Sequence, residues 1–364
     1  MGVSPMIRRS KRKVADLDQP RHPAFDSGSG TRIPFTRISA IAPFSAFLDE
    51  IGAPTARLLC QARIPAAVFE EPEALVPLHL AHRLGELAAR SERIEDLGCV
   101  VAQRTSAFDL GVFGVSLQRA STVYEYLRTG IRAIGSVSSG ERFWLSVEGD
   151  RLRFNQYLPG IASPGRCQAD LYTLVLTIKM LRQFADPCWS PDEVHLLAGG
   201  EGLLGDRSFF GDTRIITGQP YSSFTFPHAL LQRPVPGSSV PAARTGDTPQ
   251  ETGPPMPEGI QAAVERLTTA LLLDGYPDIR LAAEAAGLSV RTLQRRLADI
   301  GLTYSQLISE SRMRLAVEWL TDSDMSIAEI AGSLGYTDAA NFSRAFRRQA
   351  GMSPRSFRQI ADDS

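Results

Sequence analysis

With 364 residues, 43% of them hydrophobic, and a formal charge of −1, the chain is long enough for two ordinary cores and lacks the signature of a disordered, collagen-like or membrane class. Its longest apolar stretch, Leu171 to Met180, is interrupted by Thr173, Thr177 and Lys179 and is too short and too polar to span a bilayer. Cys60, Cys99, Cys167 and Cys188 have no paired short spacing, and His79 with His82 has no partner at ligand distance in sequence. No metal, cofactor or catalytic residue is therefore expected.

Residues 1–34 carry Arg8, Arg9, Lys11, Arg12 and Lys13 among Pro, Gly and Ser, without the apolar run of a secretory signal. They read as a disordered basic tail, and residence is expected in the cytoplasm. Residues 35–232 form the next segment, mainly helical from Ile38 to Arg90. Thr122-x-x-Glu125 is a capping box that opens an amphipathic helix using Val123, Tyr126, Leu127 and Ile131. Phe143, Leu145 and Val147 then alternate with polar neighbours, Gly149-Asp150 makes a two-residue turn, and Leu152 and Phe154 resume the alternation, which predicts a β-hairpin. Leu171 to Phe184 reads as a helix, and Glu193–Leu197 and Tyr221–Phe226 read as strands.

The fold class expected for this segment is α+β. An apolar pocket in it would draw on Phe108, Phe113, Trp144, Tyr157, Tyr172 and His195, each of which is equally suited by type to plain core. Arg166 beside Cys167 is a hint of an activated thiolate, against a background of thiols expected to be reduced and packed. Residues 233–257 hold Pro234, Pro236, Pro241, Pro249, Pro254, Pro255 and Pro257 and read as a semi-extended linker.

From residue 258 to 360 the chain repeats itself. Ile279, Ala283 and Gly287 recur 48 residues later as Ile327, Ala331 and Gly335, and each copy runs through its glycine into an arginine-rich amphipathic segment. In the first copy Asp278 and Ser289 are helix caps, and Leu293 and Leu297 stand one turn apart facing inward. In the second, Ser326-Ile-Ala-Glu329 is a capping box, Thr337 is a candidate cap, and Phe342 and Phe346 take the inward stripe. Two helix-turn-helix units, 279–300 and 327–350, follow. Between them Thr303-Tyr-Ser-Gln306 opens a helix running to about Thr321, roughly 27 Å at about 1.5 Å per residue, close to the ~34 Å repeat of DNA. The chain then ends in Gly351-Met-Ser-Pro354-Arg-Ser-Phe357-Arg358.

Two such units, the connecting helix and an ending of the form Gly-x-Ser-Pro-x-x-Phe-Arg resemble the DNA-binding domain of AraC/XylS-type transcriptional regulators. The resemblance implies an all-α domain of seven helices whose third and sixth, here about Val290 to Ile300 and Asp338 to Gln349, enter adjacent major grooves. Base reading is then expected of Arg291, Thr292, Gln294, Arg295, Ala339, Asn341, Ser343 and Arg344, since Arg pairs with guanine O6/N7 and Gln or Asn with adenine N6/N7. Phosphate contacts are expected of Arg296, Arg347, Arg348, Arg355 and Arg358. Asp338 is placed either to repel phosphate or to accept from cytosine N4. From Glu258 onward there are twelve Arg, no Lys and fourteen Asp or Glu, so the domain is not basic overall and its nonspecific affinity should be modest.

Phe113-Gly-Val ahead of a helix, Trp189-x-Pro191-x-x-Val194, and Phe210-Gly ahead of a strand are similar to the N-terminal ligand-sensing domain of a non-cupin, arabinose-binding-like branch of AraC-type regulators. That resemblance implies a small-molecule effector, an amino-acid derivative or a fatty or aromatic acid. The whole is identified as a DNA-binding activator and not an enzyme, with double-stranded DNA, an effector, RNA polymerase and a second copy of itself as partners, and no membrane. One alternative makes residues 35–232 a dimerisation or partner module only. Another is an adaptive-response-like DNA alkyltransferase, suggested by Pro187-Cys188 but opposed by Trp189-Ser190 and by the missing zinc-spaced cysteines.

Overall fold

The computed structural model describes residues 33–159, 163–197, 207–235, 255–272 and 278–362, without the side chains of residues 107, 108, 207, 270 and 362. The basic tail up to residue 32 and residues 236–254 of the Pro-rich stretch lie outside the described residues. The chain divides at Met256/Pro257 into two compact units.

In the N-terminal unit β1 (Phe35–Arg37) pairs antiparallel with β2 (Leu75–Pro77). Each runs directly into a helix, α1 (Ile38–Glu50) and α3 (Leu78–Glu92), with α2 (Thr55–Ala62) between them. The reading of Ile38 to Arg90 as helical missed β2 because three residues are too few to carry a period. Next come α4 (Leu97–Arg104), α5 (Gly111–Gln118) and α6 (Val123–Val137). Helix α6 begins where Glu125 N donates to Thr122 Oγ1 at 3.3 Å, and it buries Val123, Tyr126, Leu127, Ile131, Ile134 and Val137. The Glu125 carboxylate reaches back to Ser121 N at 2.9 Å. Phe113-Gly-Val lies inside α5, ahead of α6.

The hairpin forms as β3 (Arg142–Glu148) and β4 (Arg151–Tyr157), closed by Glu148 opposite Arg151 around Gly149 at φ 64°. Alternation fails on β4, where Leu152 through Gln156 are all buried. Its polar residues are compensated: Arg153 donates to Glu148 and Glu193, Asn155 to Ser146 at 3.1 Å, and Gln156 to Asp170 at 3.0 Å. The sheet order is β3-β4-β7-β5-β6, with β5 (Glu193–His195), β6 (Arg214–Ile216) and β7 (Ser222–Pro227); only the β5–β6 pairing is parallel.

Helix α7 (Pro164–Phe184) starts seven residues before Leu171, because Ser163 accepts from Arg166 N at 3.2 Å and Pro164 takes the first helical position. It packs against α3 and α4 so closely that a Cβ on Gly165 or Gly98 would overlap the carbonyl oxygens of His82 and Gln168. Gln168 clamps the crossing by accepting from Gly98 N at 2.8 Å and donating to Glu95 O at 2.7 Å. The unit does not end at residue 232. Val123 N donates to Arg233 O and Val235 N to Ser121 O, both at 3.0 Å, so the Pro-rich stretch begins stitched to the start of α6.

The C-terminal unit is all-α: α8 (Gly259–Leu272), α9 (Ile279–Ala285), α10 (Val290–Ala298), α11 (Tyr304–Asp322), α12 (Ile327–Ser333), α13 (Ala339–Ala350) and α14 (Pro354–Asp362). Helix α11 lies between its neighbours, tied to α8 by a buried Thr268–Ser311 hydroxyl pair at 3.0 Å and by Arg314 to Thr269 at 3.2 Å. No helix among the described residues is long and apolar enough to cross a membrane.

A methyl group at Gly98 has nowhere to go. Gly98→Ala is expected to destabilise the N-terminal unit by about 1–3 kcal/mol or more, read as a lowered melting temperature, whereas Gly135→Ala, where a Cβ meets nothing within 4 Å, should leave stability within a few tenths of a kcal/mol or raise it.

Candidate nucleic-acid interface and sensor cavity

Each helix-turn-helix unit is built from the same local chemistry. Asp278 accepts from Leu281 N at 2.8 Å to start α9, and Ser326 and Glu329 form a reciprocal capping box to start α12. The turns then superpose in kind: Leu288 N donates to Ala283 O at 2.8 Å and Tyr336 N to Ala331 O at 2.9 Å, with Gly287 at φ 65° and Gly335 at φ 72°. Only glycine takes that conformation without strain, which is why the glycine recurs. Ser289 caps α10 through Thr292 N at 3.2 Å. On α13 the cap is Asp338 and not Thr337, its carboxylate accepting from Asn341 N at 2.6 Å. Position 338 holds an acid because a carboxylate is favoured at a helix N-terminus.

The inward stripes are buried as the spacing requires, Leu293 and Leu297 on α10, Phe342 and Phe346 on α13. The opposite faces carry the candidate contacts. Arg291, Gln294 and Arg295 are exposed on α10, and Arg344, Arg347 and Arg348 on α13. Thr292 is half-buried with its hydroxyl on Ser289 Oγ at 2.8 Å. Asn341 and Ser343 are half-buried, and Ala339 packs against the apolar cluster beneath. Asn341 donates to Asp338 at 2.8 Å and accepts from Arg344, so cap, amide and guanidinium form one chain along the exposed face. Arg296 is half-buried, its guanidinium pulled below the usual range first by burial and then by the Arg295 charge.

One expected phosphate contact has a different task. Arg358 donates to Leu320 O at 3.3 Å and to Met325 O at 2.6 Å, capping the end of α11 and holding the following turn. Sequence reasoning also missed Arg312, which donates to Gly335 O at 3.1 Å and lies over the Tyr336 ring at 4.7 Å. Its position on the polar side of α11 was the available signal. Arg355 is exposed at the start of α14.

The N-terminal unit holds two adjoining cavities of about 70 and about 90 Å³ that share Ala40, Glu141, Tyr172 and Thr173 as wall. Phe113 and Tyr172 are on these walls. Trp144, Tyr157 and His195 are not: Trp144 packs edge-on to Tyr221, Tyr157 lies beneath Arg166, and His195 hydrogen-bonds Glu193 at 2.8 Å. The side chain of Phe108 lies outside the described residues. Glu141 and His82 were missed, since nothing in the local sequence says that either is buried. Burial first, with Asp170 adding, pushes the Glu141 carboxyl up to about 8, against a Ser138 hydrogen bond. Burial, Arg166 and His79 push His82 down to about 4. The thiol of Cys167 is raised by burial and by Asp170 despite Arg166, which is the wrong direction for a reactive thiolate. Cys188 is exposed, and among the described residues no three His, Cys, Asp or Glu side chains gather as a metal site.

A family model described as a helix-turn-helix domain matches residues 282–360, and one described as the N-terminal arabinose-binding domain of the AraC transcription regulator matches residues 52–235. The chain is similar to the ornithine utilization regulator of Pseudomonas aeruginosa, 33% identical over 144 residues, 39% of this chain and 42% of that protein. It is similar along most of its length to the transcriptional regulator VirS of Mycobacterium tuberculosis, 25% identical over 327 residues, 86% of this chain and 94% of that one. Among solved structures, the transcriptional regulator CdpR from Pseudomonas aeruginosa aligns with a TM-score of 0.37 at 20% identity, covering 84% of this chain and 96% of its own.

The two arginines of α14 should separate in experiment. Arg358→Ala removes charge-assisted bonds to two carbonyls and should lower the stability of the C-terminal unit by about 1.5–3 kcal/mol. Arg355→Ala should leave the melting curve unchanged and reduce the salt dependence of DNA binding. Equal melting temperatures for the two variants would refute the capping role of Arg358.

Proposed function

The chain belongs to the AraC family of transcriptional regulators, with an arabinose-binding-like N-terminal domain and a C-terminal helix-turn-helix domain that binds double-stranded DNA, and from that premise we propose how its residues divide the work. Helices α10 and α13 enter successive major grooves of one operator. Arg291, Gln294, Arg295, Asn341 and Arg344 read base edges, while Arg296, Arg347, Arg348 and Arg355 fix the register on phosphate. The observation that carries this reading is the repeated cap–glycine–cap geometry, which leaves an arginine-bearing face exposed on both helices. Thr292 and Ser343, being half-buried, contribute as shorter-range contacts, and Ala339 only at the edge of the groove.

Residues 35–235 sense a small-molecule effector in the paired cavities, and the rest of the Pro-rich stretch tethers that unit to the DNA-binding part. Effector binding changes the geometry of a dimer or releases the DNA-binding part to engage RNA polymerase, which makes the protein an activator. A largely apolar cavity lined by a carboxylate with an unpartnered oxygen favours this over a domain that only dimerises. With twelve arginines against fourteen acids in the C-terminal part, tight occupancy depends on the second copy or on the polymerase contact.

Anisotropy titrations of Arg295→Ala and Arg347→Ala against sites selected from random duplexes test the division of labour. Loss of Arg295 should relax preference at one base pair by about 1–3 kcal/mol. Loss of Arg347 should weaken all sites alike and flatten the log–log salt slope by about one. If both variants weaken every sequence equally, the base-reading assignment is wrong.

A further inference from the structure

Glu141 sits in the turn between α6 and β3, its N–H on Ser138 O at 3.2 Å. It is 6% exposed, and its Oε1 has no hydrogen-bond partner. Glu141 lines both cavities; the larger is mainly apolar, with Leu110, Leu117, Leu127, Ile134 and Leu176 among its residues, and the smaller adds His82, Ser138 and Gln168. Neither wall contains a Lys or an Arg. The titratable groups around Glu141 are Asp170 and Tyr172 from α7, His82 from α3 and Tyr126 from α6; the Arg166 guanidinium, also from α7, acts on His82 and Asp170 but is not on either wall.

We propose that Glu141 is the head-group acceptor of the effector site and that the effector is a small aliphatic amine, its ammonium on the free carboxylate oxygen and its short chain in the larger cavity. This rests on the sensing reading given above and narrows its ligand. A buried carboxylate with one oxygen left without a partner is costly, and a cation that reaches that oxygen forms a charge-assisted hydrogen bond, about twice as strong as a neutral one. The aromatic rings of Phe113, Tyr126, Phe143, Phe154 and Tyr172 around the larger cavity add favourable faces for an ammonium. A fatty or aromatic carboxylate would meet Glu141 with no Lys or Arg on either wall to receive it. Size points the same way: a cavity of about 150 Å³ accommodates benzene, so about 90 Å³ suits a chain of a few carbons.

Proton balance gives the inference its signature. Burial holds the Glu141 proton up to about pH 8, whereas a primary amine keeps its own to about pH 10. The complex retains one proton between them, so binding releases one proton per ligand at pH 7. Affinity should rise about tenfold per pH unit up to about 8 and then level off until the amine deprotonates.

Isothermal titration of the full chain with n-butylammonium, butyrate and 1-butanol, in two buffers of different ionisation enthalpy, tests this. The expected result is that butylammonium binds and releases one proton at pH 7, butyrate does not bind, and butanol binds at least tenfold more weakly. Glu141→Gln, close in shape to the protonated acid, should fold and should weaken butylammonium by at least about 30-fold. Without ligand, the wild type should lose stability relative to Glu141→Gln as pH rises from about 5 to 8, because the folded state holds a proton that the unfolded chain releases. Butyrate or butanol binding as well as the amine, no proton release, or unimpaired amine binding by the variant would each overturn the proposal. Amine binding with no effect on DNA affinity would keep the ligand class and refute the sensing role; butyrate binding that changes DNA affinity would do the reverse.

Discussion

Both reading helices depend on how helix Tyr304–Asp322 is held. Its first turn is closed by the Thr303/Gln306 capping box and its last by Arg358 on the Leu320 and Met325 carbonyls. Along its length Arg312 reaches the turn glycine of the second unit, and Ser309 accepts from Gln349 at the end of α13 at 2.7 Å. Leu315, Ala316 and Leu320 join Ile330, Leu334, Phe342 and Phe346 in one apolar cluster. Each neutral tie contributes about 0.5–1.5 kcal/mol net and each arginine tie about 1.5–3 kcal/mol, which matters less for overall stability than for direction. A rod of 19 residues, about 28 Å long, fixed at several points along the second unit, cannot let that reading helix swing independently.

The N-terminal unit solves a different problem. Its central strand buries Arg153, Asn155 and Gln156 and answers each with a partner, and α7 is drawn onto α3 and α4 through glycines that leave no space. Among the buried polar atoms without a partner, Glu141 Oε1 and His82 Nε2 belong to residues that line the cavities. Tight packing of α7 on α3 and α4 at Gly165 and Gln168, with empty volume beside Tyr172 and Thr173, places the adaptable part of the unit where α1, α6 and α7 meet.

How much of this the sequence disclosed follows from how far each determinant reaches. The helix-turn-helix pair was legible because caps and a left-handed glycine act within four or five residues, and their 48-residue recurrence at Gly287 and Gly335 is visible without any tertiary knowledge. The cap of α13 was off by one, since Thr337 and Asp338 are both good caps and packing chose between them. Arg358 was read as a phosphate contact because its carbonyl partners lie 33 and 38 residues away. In the N-terminal unit the hairpin and α6 were readable from period and turn chemistry, whereas β1, β2 and the cavity were not. Of the pocket residues chosen by type, Phe113 and Tyr172 line the two cavities and Trp144, Tyr157 and His195 do not; which side chains surround a cavity, like the burial of an acid such as Glu141, is decided by α3, α6 and α7 coming together.

The geometric core of the account is that one rigid helix presents two reading helices to successive turns of the duplex. Guanine-methylation interference, carried out with the full chain on sites selected from random duplexes, measures this most directly. The account predicts two blocks of major-groove interference on one face, about 10 base pairs apart, and loss of binding when about five base pairs are inserted between them. A single block, or full affinity for the site with the insertion, would contradict it.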